Sequence, residues 1–243
     1  MCRLLGVTSS EPTDFRAALR DAPRSLAALS REHPDGWGIA VYDVQASRWG
    51  VDKGASCAGD DERFHRLAAG SRGHVLVSHV RKKTIGATSL ENTHPFQRDR
   101  WVFAHNGTVS DLAWLRSRSS SRRLEQVAGE TDSELLFAWL LTRLDEDGVA
   151  HAPACERTDR ALATATREAR ERPGLGAVTF LLSDGHTTYA HRFGRTMFLL
   201  ERQAPNAVLV ASEHVTDEPW KGVEEGALVR IEREPTPCWR LVA

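Results

Sequence analysis

The chain has 243 residues, 41% apolar and 27% charged, which is enough for one sizeable core and leaves no case for intrinsic disorder. Thirty-two Lys plus Arg against 33 Asp plus Glu give a formal net charge of -1, so the composition carries no footprint of nucleic-acid binding. The start MCRLLGVTSS lacks a secretory pattern and no apolar run approaches a membrane span, while four scattered cysteines form neither a disulfide framework nor a CxxC zinc site. A single domain over 2–243 in a reducing cytoplasm is expected.

In chain order, Cys2 to Thr8 reads as a strand, and Asp14 to Ser30 has helical spacing interrupted at Pro23. Trp37 to Tyr42 and Trp49 to Lys53 read as a hairpin, Asp60 to Ala69 as a helix, and His74 to Val80 as a buried strand. Arg81 to Arg100 is polar and turn-rich, a loop leading to a strand Trp101 to Ala104 that stops at His105-Asn106-Gly107. Arg116, Arg118, Arg122 and Arg123 lie among serines and are expected on a solvated loop or helix end.

From Thr131 the spacing of Leu135, Leu136, Trp139, Leu140 and Leu144 predicts an amphipathic helix capped by Thr131 or Asp132, and a second helix covers Thr158 to Arg172. Between Ala177 and Ala211, four short apolar runs separated by turn residues predict antiparallel strands. Strands, two long helices, then strands argue for an α+β fold with two sheets and helices outside them. Cys57, Cys155 and Cys238 are expected to be small, partly buried residues.

Chemistry concentrates in few places. Removal of Met1 would put a thiol and a free α-amine on Cys2, nucleophile and base in one residue. The polar segments His33-Pro34-Asp35-Gly36-Trp37-Gly38, Ser78-His79-Val80-Arg81, Asn92-Thr93-His94-Pro95-Phe96, Phe103-Ala104-His105-Asn106-Gly107 and Gly129-Glu130-Thr131-Asp132-Ser133-Glu134 each sit at a strand end or helix start. Taken alone, His-Asn-Gly reads as a hairpin turn with positive φ and Asp132 as a helix cap. The histidines lie in separate segments without ligand spacing, so no metal is expected.

These segments, in this order, resemble the type-2 glutamine amidotransferases of the N-terminal nucleophile hydrolase superfamily, in the stand-alone branch beginning Met-Cys-Arg. The resemblance implies a four-layer αββα sandwich of two mainly antiparallel sheets flanked by helices. It implies that Cys2 attacks a side-chain amide to give a γ-glutamyl thioester, with Asn106 and Gly107 as the oxyanion hole. Arg81 would clamp the substrate carboxylate, Asp132 its ammonium, and Thr93 and His94 would line the pocket. His79 and His105 take structural positions, and Ser212-Glu213-His214 forms pocket wall.

The implied substrate is glutamine or a γ-glutamyl amide, without cofactor, nucleic acid or membrane. A separate synthase subunit and a second copy of the chain stand as candidate partners. Lys82-Lys83-Thr84 departs from the aromatic or small residues that many synthases carry after the arginine, which leaves the amide open. The rival readings are a non-catalytic γ-glutamyl-binding module, an ammonia-supplying subunit of a larger complex, and an interaction domain. A thiol beside an oxyanion hole has no use in a module that only binds.

Overall fold

The computed structural model describes residues 2–243; Met1, whose removal the sequence reading invokes, lies outside them. The strands are β1 (Arg3–Asp14), β2 (Trp37–Asp43), β3 (Arg48–Gly54), β4 (Arg72–Val80), β5 (Phe96–Arg98), β6 (Trp101–Asn106), β7 (Thr179–Ser183), β8 (Thr187–His191), β9 (Phe198–Gln203), β10 (Asn206–Ala211), β11 (Lys221–Gly222), β12 (Leu228–Glu232) and β13 (Cys238–Leu241). The helices are α1 (Leu26–Leu29), α2 (Glu62–Gly70), α3 (Leu112–Arg118), α4 (Ser121–Leu124), α5 (Asp132–Glu146) and α6 (Glu156–Glu171). Two antiparallel sheets result, ordered β11-β9-β10-β1-β4-β2-β3 and β13-β12-β8-β7-β6-β5.

Strand alternation builds the layers, because successive side chains leave a strand on opposite faces. In β1, Leu4 packs between the sheets with Val75, Val77, Val102, Ala104 and Leu181. Its neighbours Leu5 and Val7 face outward with Leu19, Leu26 and Phe64. On the other side, Phe103, Phe180 and Leu182 meet Leu136, Leu140 and Leu162 of α5 and α6. The outcome is a four-layer αββα sandwich, two antiparallel sheets with helices on both outer faces, as the sequence resemblance implies. Gly6 allows the sheets to approach, since a Cβ there would stand 3.1 Å from Leu181 Cδ1.

Several local expectations shift. β1 continues past Thr8 to Asp14, with a bulge between Thr8 and Thr13 that absorbs Pro12. The helical stretch 14–30 breaks into a π-helical turn at Ala17–Asp21 and the short α1. The 81–100 loop contains β5, which pairs with β6. His105-Asn106-Gly107 is no hairpin: β6 runs through Asn106 and pairs with the distant β7.

The basic cluster is solvated only in part. Arg123 is fully buried, donating from Nε and Nη2 to Asp145 and from Nη1 to Asp99 at 2.7 Å. Two carboxylates thus offset the desolvation of one guanidinium. Cys57 is half-buried, but Cys155 and Cys238 are exposed, against expectation. Among the described residues, no helix is long and apolar enough to cross a membrane.

Candidate active site

Cys2 stands just before β1, and the sheet fixes its neighbours. Arg3 pairs with Val80 and Leu4 with His79, so continuing the register sets Cys2 beside Arg81. The ladder from β2 reaches the same point: Arg81 N–H donates to Gly36 O at 2.7 Å and Asp35 N–H to Arg81 O at 3.0 Å. Ser212 locks the start of β1, its hydroxyl accepting Leu4 N–H at 3.0 Å. Glu213 takes Arg3 at 3.0 Å and Arg24 at 3.0 Å. Those two residues brace the entry to β1, while the His214 ring packs edge-on against Phe198.

The Cys2 thiol meets the Lys82 peptide, receiving its N–H at 3.4 Å and donating to its carbonyl at 3.5 Å. Burial pushes the thiol pKa up, and the Lys82 N–H and the Arg81 charge only partly oppose this. At neutral pH the sulphur is therefore protonated and needs a base. Arg81 and Asp132 lie within electrostatic reach of Cys2, and both are almost fully buried.

Arg81 donates from Nη1 to Ala87 O and from Nη2 to Ile85 O, both at 2.8 Å, tying the following loop to the guanidinium. Each of these nitrogens keeps a second hydrogen for another acceptor. Asn92, buried, holds the same loop from behind: Nδ2 donates to Ala87 O at 3.1 Å and Oδ1 accepts Glu130 N–H at 2.8 Å. One amide therefore joins the Arg81 loop to the turn preceding α5. The sequence reading passed over Asn92, although it opens the Asn-Thr-His-Pro-Phe segment.

At the start of α5 four consecutive residues have four tasks. Thr131 caps the helix by accepting Glu134 N–H at 3.3 Å, which leaves the Asp132 carboxylate free to accept Val109 N–H at 2.6 Å. Ser133 reaches His105 Nδ1 at 2.9 Å, and Glu134 accepts Gly129 N–H at 2.7 Å. His105 Nε2 faces Ala177 O at 2.9 Å, so that nitrogen carries the proton and Nδ1 accepts from Ser133. His105 is consumed in holding the end of β6.

Asn106 and Gly107 follow at that end, bound through Val109 to Asp132. Leu4 and Ala104, each two residues from Cys2 and Asn106, share the inter-sheet core. Asn106 is 2% exposed and its Oδ1 has no hydrogen-bond partner among the described residues. A Cβ on Gly107 would collide with Ala177 O and stand 2.6 Å from His105 Nε2, so the position excludes a side chain through close approach.

Thr93 and His94 are buried behind these groups. Thr93 donates to Ser89 O at 2.7 Å. The His94 ring lies 4.3 Å from that of His79 and 4.5 Å from that of Phe96, and the His94 nitrogens lack partners among the described residues. Burial pushes His79 down to about 3 and His94 well below the usual histidine range, so both are neutral. The structure thus brings Cys2, Arg81 and Asp132 together, links Asp132 to the Asn106-Gly107 end of β6, and sets His94 within charge reach of Arg81. Thr93 serves its own loop. No group of three His, Cys, Asp or Glu side chains that could hold a metal occurs among the described residues.

A family model described as class-II glutamine amidotransferases matches residues 1–208. The Escherichia coli "Putative glutamine amidotransferase YafJ" is 29% identical over 86% of this chain and 79% of its own length. The Mycobacterium tuberculosis gamma-glutamyl-hercynylcysteine sulfoxide hydrolase is 26% identical over 95% of this chain and 93% of its own. A solved glutamine aminotransferase class-II domain protein of Silicibacter pomeroyi superposes with a TM-score of 0.69 at 20% identity, covering 99% of this chain and 98% of that one.

Proposed function

Because the chain belongs to the class-II glutamine amidotransferases, we propose that it hydrolyses the side-chain amide of glutamine or of a γ-glutamyl amide through a thioester on Cys2. The observation that carries this reading is the half-buried Cys2 thiol, held by the Lys82 peptide within charge reach of buried Arg81 and Asp132. Buried opposite charges within electrostatic reach of a nucleophile suit a free α-amino acid head group, the carboxylate on the unused Arg81 hydrogens and the ammonium on Asp132.

Once Met1 is removed, the neutral α-amine of Cys2 takes the thiol proton, directly or through water, and sulphur adds to the γ-carbonyl carbon. The oxyanion is received by Asn106 Nδ2 and Gly107 N–H, donors that are preorganised because the end of β6 is fixed at His105 and the segment after it at Val109. The C–N bond then breaks, and the leaving nitrogen departs with the proton first taken from the thiol. Water, deprotonated by the same amine, cleaves the thioester and releases glutamate.

The test is acid quenching during turnover, followed by intact mass and peptide mapping. One glutamyl group on Cys2, absent from Cys2→Ala, is expected. Turnover of γ-glutamyl amides by a folded Cys2→Ala protein overturns the assignment.

A further inference from the structure

Hydrolysis at Cys2 leaves Lys82 and Lys83 without a task. The Lys82 peptide brackets the Cys2 sulphur, so its side chain springs from the residue whose backbone touches the nucleophile. Lys83 is anchored next to it, its N–H donating to Asp35 Oδ2 at 2.8 Å. Both side chains are exposed, and no carboxylate lies within ion-pair distance of either among the described residues. The nearby acids are otherwise engaged: Glu213 with Arg3 and Arg24, Asp132 with Val109 N–H, Glu130 with Ala87 N–H at 3.2 Å. Asp35 holds the Lys83 peptide and faces the Arg81 charge. Buried His33 feels Arg3 and Lys82 as like charges. Two exposed ammonium groups are thus left over on the residues that follow Arg81, one of them on the residue whose peptide holds the sulphur, outside the buried Arg81 and Asp132.

Charge there is idle for glutamine, whose leaving group is ammonia. It is useful for an amine that carries an anion. Resting on the amide-hydrolysis reading above, we infer that the substrate is a γ-glutamyl amino acid or short γ-glutamyl peptide, and that Lys82 and Lys83 receive the carboxylate on its leaving side. That carboxylate takes no part in the bond changes: the C–N bond breaks as before, and the departing amino acid leaves as a free amine with its carboxylate unchanged. Two flexible ammonium groups suit this role, because leaving groups of different length place the carboxylate differently.

The experiment compares γ-L-glutamylglycine with γ-L-glutamylglycinamide, which differ on the leaving side only in charge, with glutamine alongside. For the wild-type enzyme a kcat/KM ratio of about fivefold or more in favour of γ-glutamylglycine is expected at low salt, the size of one or two exposed charge pairs. The ratio should shrink toward one as salt approaches about 0.5 M. Lys82→Ser/Lys83→Ser should bring the ratio near one at low salt, and Lys82→Arg/Lys83→Arg should restore it. A wild-type ratio near one, or one unmoved by the serine pair, overturns the inference and leaves amide hydrolysis standing. Failure of processed, folded enzyme to turn over any of the three compounds removes both.

Discussion

Val109 donates its backbone N–H to Asp132 Oδ2 at 2.6 Å, so the carboxylate assigned to the substrate ammonium also fixes the chain two residues after Gly107. The two tasks can be separated. Asp132→Asn keeps an oxygen for Val109 but loses the charge, and KM for γ-glutamyl substrates is expected to rise tenfold or more, about 1.4 kcal/mol of binding per tenfold. Asp132→Ala should add a loss of thermal stability. Steady-state kinetics with unchanged KM in Asp132→Asn would reduce the residue to a structural brace.

Asn106→Ala removes one oxyanion donor, and kcat should fall about a hundredfold or more. The Oδ1 of this side chain has no partner among the described residues, so truncation breaks no recorded hydrogen bond at that atom and thermal stability should change little. A rise in KM without a fall in kcat would contradict the assignment.

Burial holds the Cys2 thiol above its ordinary pKa, so ionisation of sulphur alone cannot supply the nucleophile near neutrality. The base is then decisive. The rate should fall as pH drops below the α-amine pKa, about 8 for an unperturbed group. Protein that retains Met1, with the Cys2 nitrogen in a peptide bond, should be inactive. Intact mass alongside turnover checks this, and equal activity of the two forms would eliminate the α-amine as base.

The sequence made much of this legible, because strand alternation at Leu4, Leu5 and Val7 and helical spacing around Leu136 and Leu140 survive in the packing. Family order singled out Cys2, Arg81 and Asp132, whose side chains the fold leaves within electrostatic reach of one another. What stayed hidden depends on pairs distant in sequence. Arg123 looked solvated because its partners Asp99 and Asp145 lie 24 and 22 positions away. Thr131 and Asp132 were equal candidates for the cap until Val109 claimed the Asp132 carboxylate. Asn92 was silent because one of its two partners, Glu130, lies 38 positions away on the turn before α5.

Asn92→Ala should therefore act at a distance. It leaves Glu130 N–H without the Asn92 oxygen and removes one of the two donors on Ala87 O, at a cost of about 1 kcal/mol for these partly buried bonds. Because Ala87 O also accepts from Arg81, loosening that loop should raise KM more than it lowers kcat. Asn92→Asp retains the acceptor for Glu130 and should recover part of the stability but not the KM. Equal losses in kcat and KM for both variants would contradict a positioning role.

Acid stability follows from the buried neutral histidines. His79 is pushed down to about 3 and His191 to about 4, with burial the largest cause in each, against an ordinary value of 6.5. His94 shifts in the same direction for the same reason. A histidine whose pKa is lower folded than unfolded leaves the unfolded chain holding more protons between the two values. Stability is then complete above about 6.5 and drains as pH falls toward 4 and 3, at up to about 1.4 kcal/mol per pH unit for each such histidine. Carboxylates with depressed pKa, such as Asp159, add their loss in a lower window, below their ordinary value of 3.8. Urea midpoints between pH 7 and 4.5 should therefore drop steeply before the carboxylates begin to titrate. His79→Phe, which cannot take up a proton, should flatten that slope by about one proton's worth, whereas a wild-type midpoint constant from pH 7 to 4.5 would show that these rings protonate freely in the folded protein.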